Sequence, residues 1–588
     1  MTKQSNRHEV SGGGGQEVRG KKAVSVRLWP SVIIALIHIA AALAFRSFGT
    51  TNNIENGIAL GGVPLASAIL FVLWWLVGSR VPVWSRLLGL ALFSVTVALV
   101  VYSQQPRWFG ALLIAIALPY MTIGTVAVLL VTYRMGWPLR RWLLAAYILG
   151  CTGVFCALRV ESLGGDLAPI MLWRWIPAEA QRSQEVLIFE GGGVAELPPA
   201  PGPEDWPGFR GTQRDSILKG LRFTIDESAP PREVWRRDIG AGWSSFIAVG
   251  GYLFTQEQRG DEEWVTCYQA ATGEPVWKNS LKAVFDDSMG LGPRATPVYC
   301  EGRLYTQGGT GILQCLEAAT GKSVWEHDLK KDAERGVPMY GFCSSPLVAG
   351  NQLIVFADGG EGRRLIAYDR VSGKEAWRGG TLGGGYCSPI LEVVQGVSQV
   401  VMASTSGLEA FIPETGDMLW AHNWKSEKYA RNVQPFVQDE ALLMLAATTG
   451  TGTGLVRVTK KNSEWSTEEL WTSKKYRPYF NNGVLHKGHY YGYDGERVAC
   501  LSVETGERLW TGERFSGQLL LIADMDMLLV LSEKGEVVFV PAVPGGFSVA
   551  GRFQAISGKT WNHPLIAHGR LFVRNAEEAA CFEFGTEG

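Results

Sequence analysis

Tyr268-Gln-Ala-Ala-Thr272-Gly273-Glu-Pro-Val-Trp277 is followed 48 residues later by Leu316-Glu-Ala-Ala-Thr320-Gly321-Lys-Ser-Val-Trp325. The same frame returns at Tyr368 to Trp377, Phe411 to Trp420 and Leu501 to Trp510, always with Ser-Gly or Thr-Gly before the Trp. A repeat of roughly 40–50 residues with β-type local pattern marks a propeller, in which each repeat is one four-stranded blade. The Thr-Gly pair supplies the turn between the third and outermost strands, because glycine takes positive φ without a Cβ clash. The Trp opens the outer strand, where its ring can cover the gap between neighbouring blades.

The ends of the repeat region complement one another. Val234-Trp235-Arg236 reads as an outer strand without a blade, and the segments around Pro564, Leu571 and Cys581–Phe584 read as three strands without a closing Trp. The early strand therefore completes the last blade and removes the free edges that invite aggregation. Degenerate repeats ending near Trp471 and Phe553 bring the sum to about eight blades. Seven stays open, because the Gly535–Phe553 stretch has lost both the Thr-Gly and the Trp. Each blade opens on a Pro-containing inner strand (Pro297, Pro346, Pro389, Pro435, Pro564), suited to the first strand position, where no ladder donor is needed.

The first third of the chain is different. Apolar runs at about 29–48, 57–78, 85–103, 109–133 and 142–159 each approach the roughly 20 residues that cross a bilayer. Five such runs predict five transmembrane helices; His38, inside the first, reads as a satisfied polar side chain. No small-residue cleavage site follows the first run, which argues against a signal peptide. Arg19, Lys21, Lys22 and Arg27, then Arg80 and Arg86, then Arg134, Arg140 and Arg141 lie on one side, against Arg46 and Arg107 on the other. Positive charge marks the cytoplasmic side, so everything after Arg159 is expected outside the cytoplasm, with the spans in the inner membrane and the propeller in the periplasm. Residues 1–28 read as a flexible cytoplasmic tail, 29–159 as the helices, 160–204 as a linker and 205–588 as the propeller. The linker ends in Pro198-Pro-Ala-Pro-Gly-Pro203, a stiff spacer. Its Met171-Leu-Trp-Arg-Trp-Ile176 segment is placed at the membrane interface, where Trp is favoured.

A formal net charge of −1 leaves no basic stripe for nucleic acid. Of nine cysteines, Cys267, Cys315, Cys500 and Cys581 occupy one position of the third strand in different blades and read as small core residues. Cys300 and Cys315 share a blade and could bridge. His486-Lys-Gly-His489 has ligand-like spacing in a hairpin, where exposed turn histidines are the simpler reading.

Ligands of a propeller bind at the mouth of its central channel, where the inner strands converge. Aligning the repeats on the second strand puts Trp243, Arg294, Cys343, Tyr386, Asn432, Phe480, Gln518 and Trp561 at equivalent positions there. Two residues on come Ser245, Thr296, Ser345, Ser388, Gln434, Asn482, Leu520 and His563. Such a ring suits a flat or anionic polar ligand, with Trp243, Tyr386 and Trp561 as faces and Arg294 for a carboxylate. The alternative is that these side chains plug the channel and satisfy buried backbone groups. Asp286 and Asp287 lie on a loop that could reach the mouth and bind a cation.

The Ala-x-Thr-Gly-x-x-x-Trp blades resemble the tryptophan-docking repeats of the quinoprotein family, over about residues 205–588. Asp205-Trp-Pro-Gly-Phe-Arg-Gly211 is similar to the Trp-Pro-x-Phe-Arg-Gly opening of bacterial, particularly planctomycete, PQQ-binding-like propeller proteins. Helices followed by a propeller are similar to the layout of membrane-bound quinoprotein glucose dehydrogenase. The resemblance implies an eight-bladed quinoprotein-like propeller and two functions. One is a protein- or ligand-binding scaffold of the BamB type, working with other envelope proteins and carrying no cofactor. The other is a dehydrogenase that oxidises an alcohol or sugar with pyrroloquinoline quinone (PQQ) and Ca²⁺ and reduces membrane quinone. In the second case Trp243 or Trp561 would stack the quinone, Arg294 would hold its carboxylates, and Asp286 or Asp287 would join Ca²⁺. The chain lacks the vicinal Cys-Cys of quinoprotein alcohol dehydrogenases, and their Ca²⁺ ligands and catalytic Asp do not map onto its inner strands. Whether the chain is an enzyme is left open at this point.

Overall fold

The computed structural model describes residues 26–48, 61–165, 167–182, 192–225, 230–424, 432–438, 442–446, 452–478 and 480–585. The chain divides into two compact units, Met1–Arg159 and Val160–Gly588.

The second unit is a β-propeller. Seven of its sheets are four-stranded antiparallel blades, spanning 247–281, 298–328, 347–379, 390–423, 436–473, 484–514 and 565–583. In the last of these the early strand Arg232–Asp238 pairs with Glu578–Glu583, so the two chain ends close the ring as expected. The remaining sheet, 518–554, departs from the blade form: it has five strands, because Ile217–Leu218 adds in parallel to Gln518–Ile522, so the propeller has seven four-stranded blades and not the eight expected. This is the segment that lacks the Thr-Gly and the Trp. Below, the sheets are counted first to eighth from 247–281, so that 518–554 is the seventh and 565–583 the eighth.

Six outer-strand tryptophans donate the indole N–H to a backbone carbonyl of the next sheet. These are Trp235 to Ala270 (2.9 Å), Trp277 to Ala318 (3.0 Å), Trp325 to Arg370 (3.2 Å), Trp377 to Pro413 (2.9 Å), Trp471 to Val503 (2.9 Å) and Trp510 to Val543 (2.9 Å). Trp420 departs from the pattern and donates to Gln399 Oε1 of its own sheet at 2.8 Å. The glycine of each turn has two reasons to be glycine. Gly273, Gly321, Gly373, Gly416 and Gly506 all sit at φ of +71° to +74°. A Cβ on any of them would also approach the docked indole closer than 3.0 Å: Gly273 against Trp235, Gly321 against Trp277, Gly373 against Trp325, Gly416 against Trp377, Gly506 against Trp471. The seam between the eighth and first sheets is further tied by fully buried Arg574, which donates to Thr255 Oγ1 (2.6 Å) and to the carbonyl of Gly240 (2.8 Å).

All nine cysteines are free thiols, so Cys300 and Cys315 are not bridged; Cys267, Cys315, Cys500 and Cys581 are buried in the core. His486 Nε2 bonds Asp526 at 2.5 Å and His489 Nδ1 bonds the Lys487 carbonyl at 2.8 Å, so the two rings serve different partners.

The first unit corrects the count of spans. Three helices are long and apolar enough to cross a membrane among the described residues: Val83–Ser103, Trp108–Val131 and Trp137–Ala157. The other two apolar stretches are shorter: Trp29–Ala44, within the helix Trp29–Phe48, and Val63–Gly78. Residues 49–60 and residues 1–25 of the expected tail lie outside the described residues. His38 is buried, and its Nδ1 has no hydrogen-bond partner among the described residues.

The Trp-on-Gly arrangement is testable. Gly321→Ala should cost about 2–4 kcal/mol, from left-handed backbone strain plus overpacking against Trp277. Gly302→Ala, at φ +74° with nothing within 4 Å of the added Cβ, should lose only the backbone part, about 1–2 kcal/mol. Denaturant unfolding of both variants measures the difference; equal losses would remove the role of the indole.

Candidate binding cavity

Each of the five prolines noted in the inner strands stands immediately before the first ladder residue: Val298, Leu347, Ile390, Phe436 and Leu565. The residues just ahead of the proline are extended but unpaired with a neighbouring strand, and they face the channel. Both aligned rings line a cavity there, and the inner one has a second role.

The inner ring forms a belt. Backbone N–H groups donate from one sheet to a side chain of the next: His563 to Ser245 Oγ (2.7 Å), Ser245 to Thr296 Oγ1 (3.2 Å), Thr296 to Ser345 Oγ (2.9 Å), Ser345 to Ser388 Oγ (2.9 Å), and Gln434 to Asn482 Oδ1 (2.9 Å). These hydroxyls and amides satisfy buried backbone donors, the role the alternative sequence reading gave to the whole ring. At the degenerate seventh sheet the equivalent residue is Leu520, which has no acceptor to offer.

The outer ring lines a cavity of about 240 Å³. All eight aligned residues contribute: Trp243, Arg294, Cys343, Tyr386, Asn432, Phe480, Gln518 and Trp561. Trp561 lies 5.1 Å from Trp243 and 5.2 Å from Phe480 between ring centroids, so three aromatics form one continuous wall.

Neither floor nor roof was foreseen. The floor is Phe209, from the Asp205–Gly211 motif, whose segment crosses the ring. Trp206 bridges to Ala248 in the first sheet, and the Pro207 carbonyl accepts from Tyr299 N at 2.8 Å in the second. Arg214 donates to the Pro346 and Ser345 carbonyls at 2.8 and 3.1 Å, and Arg210 to Gln434 Oε1 at 3.0 Å. The segment ends as the extra strand Ile217–Leu218 of the seventh sheet. Arg210, Arg214 and Ser216 all take positive φ, a local strain held by these bonds. Burial pushes the two guanidiniums down to about 10 and 9, which leaves them charged at neutral pH.

The roof comes from within residues 160–204, read from the sequence as a linker. Leu158–Leu163 and Pro169–Trp173 form a two-stranded hairpin, and its Gly164, Gly165 and Leu167 line the cavity. This strap is fastened at several points. Leu163 N donates to the Ser288 carbonyl (2.8 Å) and Gly165 N to Glu533 Oε1 (2.8 Å). Lys559 Nζ donates to the carbonyls of Leu163 and Met289, both at 2.6 Å. The same ammonium sits over the Trp561 and Trp243 rings at 4.0 and 5.0 Å. Burial pushes it down to about 8. Farther along, Gly193 and Ala195 donate to the Val276 and Ala319 carbonyls, and Ala195 joins the core beside Trp277. The segment lies against the propeller because its apolar residues gain more from burial than a free linker would keep.

Comparison with known proteins follows from this geometry. Residues 261–512 match the family described as outer membrane protein assembly factor BamB. That match spans under half of the chain and covers the best-formed repeats. None of the curated proteins matches. Among solved structures, a quinohemoprotein alcohol dehydrogenase, ADHIIG of Pseudomonas putida HK5, is 14% identical over 67% of this chain and 84% of that one, at a TM-score of 0.50. BamB from Moraxella catarrhalis is 16% identical over 61% of this chain and 99% of that chain, at a TM-score of 0.45. These likenesses are of fold.

Of the residues expected to hold PQQ and Ca²⁺, Trp243, Tyr386 and Trp561 line the cavity, while Arg294, Asp286 and Asp287 do not fit the roles expected of them. Arg294 is already engaged: its guanidinium bonds Asp287 Oδ1 at 2.7 Å and the carbonyls of Gly290 and Tyr340 at 3.1 and 3.0 Å. Asp287 is thereby committed to an ion pair, and Asp286 is exposed rather than turned into a ligand set. Among the described residues no three His, Cys, Asp or Glu side chains form a metal-holding group, and no carboxylate lines the cavity.

His563 offers a pH test. Burial, aided by the nearby Arg210 charge, pushes its imidazole down to about 3, and its only open face is toward the cavity. Between that value and its ordinary 6.5 the unfolded chain binds the proton and the folded chain does not. Stability therefore rises with pH in that window and is lost as pH falls through it. His563→Asn should flatten the slope of unfolding free energy against pH by up to about 1.4 kcal/mol per unit between pH 4 and 6. Equal slopes would show that the imidazole is protonated in place.

Proposed function

We propose that the chain is a membrane-anchored binding protein whose propeller faces the extracytoplasmic side and holds a small flat ligand beneath the strap. The observation that carries this is the enclosed cavity itself: one continuous aromatic wall, a floor built by a dedicated segment, and a roof fastened by Lys559 and Glu533. A plugged channel would need none of these.

The orientation rests on charge. Arg80 precedes the first long helix and Arg86 lies in its first turn, Arg107 follows it, Arg134 lies between the second and third, and Arg140 and Arg141 lie at the start of the third. Three spans and five are both odd, so the propeller falls on the side opposite the basic loops either way. The match to an outer membrane assembly factor supports an envelope setting with protein partners, the outer surfaces of the sheets remaining free for them. The dehydrogenase reading finds no support in the cavity, where neither a carboxylate base nor a free cation faces the space among the described residues.

The full chain, purified in nanodiscs and examined by native mass spectrometry, should carry one small molecule. Cys343→Phe, which fills the cavity from its wall, should lose it without shifting the unfolding midpoint by more than a few degrees. An unchanged bound mass in that variant would place the ligand elsewhere and end this reading. External protease on spheroplasts should cut the propeller; full protection would reverse the orientation.

A further inference from the structure

The helical unit carries a groove of its own. Its volume is about 360 Å³, more than twice the roughly 150 Å³ that accepts a benzene ring. The bottom is Met121, Thr122 and Thr125 of the helix Trp108–Val131, all buried, while the rim includes Leu88 and Trp142, 69% and 67% exposed. Trp75 rests on Gly89 at one edge, where an added Cβ would stand 3.0 Å from the indole.

The groove has a charged end and an apolar end. On the third long helix its lining runs from Trp137 through Arg141 to Ile148, and on the first from Ser85 to Phe93. The longer run rises about 16 Å, near half of a bilayer's roughly 30 Å hydrocarbon core. It starts at the helix ends where Arg80, Arg86, Arg134, Arg140 and Arg141 collect, and it stops near mid-helix. In a bilayer it therefore spans one leaflet. The hydroxyls at its bottom are already spent, Thr122 donating to the Leu118 carbonyl at 2.8 Å and Thr125 to the Met121 carbonyl at 2.5 Å. Past Arg141 the lining behaves as hydrocarbon.

The neighbouring arginines are occupied and Arg141 is not. Arg86 donates to the Val81 and Leu76 carbonyls, both at 2.6 Å, and Arg140 to the Leu129 carbonyl at 2.9 Å. Arg141 lines the groove and is exposed; its guanidinium lies 5.6 Å from the Trp142 ring and makes no hydrogen bond among the described residues. Its charge is not answered nearby in the sequence either. Glu9, Glu17 and Glu55 are the only acidic residues before Glu161, and residues 61–159 hold seven arginines and no acid. An apolar groove one leaflet deep, with an unpaired guanidinium at its mouth, fits an amphiphile with a negative head.

On the reading that these helices span a bilayer, we infer that the groove seats one acyl chain of an anionic phospholipid, from the leaflet on the arginine side, with Arg141 on the phosphate. Met121 and Leu144 lie beneath the chain, and Leu88 and Trp142 flank it. An uncharged isoprenoid lipid of the same girth would leave Arg141 unanswered.

The test uses the full chain in nanodiscs of equal phosphatidylglycerol and phosphatidylcholine, released into mild detergent for native mass spectrometry. Flotation with vesicles of that composition is read first, because a chain that stays in the soluble fraction ends the membrane reading itself. A floated chain should retain one phosphatidylglycerol, favoured about fivefold over phosphatidylcholine, the worth of one arginine at an anionic surface. Arg141→Gln should erase that preference and Arg141→Lys should keep it. Arg134→Gln, on the same side but outside the groove lining, should leave it unchanged. Ala145→Trp, which fills the groove from its wall, should expel both lipids. Equal retention of the two lipids, retention that survives Arg141→Gln or Ala145→Trp, an isoprenoid in place of the phospholipid, or no lipid at all would each overturn the inference and leave the membrane reading standing.

Discussion

An indole resting on a glycine in the next sheet holds this molecule together. The contact has three parts that require one another: a positive φ, a missing Cβ, and a carbonyl aimed at the indole nitrogen. Because it joins different sheets, it sets the angle between them, and repeated around the ring it sets the diameter of the channel. An antiparallel meander alone would form blades but would not fix their relation to each other. The contact is absent at Trp420, which bonds within its own sheet, and at 518–554, where a fifth strand is added.

Once the ring is fixed, the inner residues lose their independence. Five of the eight sheets hand a backbone donor to the next sheet's hydroxyl or amide, and there the belt positions the approaches to the inner strands to within a hydrogen bond. The side chains one step toward the mouth are then held on a rigid frame, and a cavity with definite edges becomes available. Two segments outside the repeats turn that opening into a chamber: one crosses beneath and one straps across. Both are held by charged side chains that bond mainly to backbone carbonyls, which suits parts that must dock onto a surface whose own hydrogen bonds are already satisfied.

What could be read in advance follows the repeat. Trp243, Arg294 and the six residues aligned with them were legible because repetition makes their positions equivalent, and an alignment of blades is then an alignment in space. The turn glycines were legible for the same reason. Phe209, Arg210 and the strap were not, since they occur once and their placement depends on surfaces assembled from distant parts of the chain. The Asp205–Gly211 motif was visible, but nothing in its residues says that it runs across the channel. The hydroxyls of Ser245 and Ser388 could be placed on the ring, yet whether they served ligand or backbone depended on distances no pattern records. The spans were overcounted because hydropathy marks apolar runs without showing where each helix begins.

The crossing segment has a consequence for how the protein is made. Residues 205–216 lie inside a ring whose last strand, Glu578–Glu583, pairs with Arg232–Asp238. On the ribosome the piece destined for the centre emerges more than 300 residues before the strand that shuts the ring around it. The interior segment is therefore synthesised first and the sheets that hold it come after. Contacts of such long sequence separation form slowly. Until the final residues leave the ribosome, the half-built ring carries an unpaired edge on each side, and the growing chain depends on its own late arrival for protection.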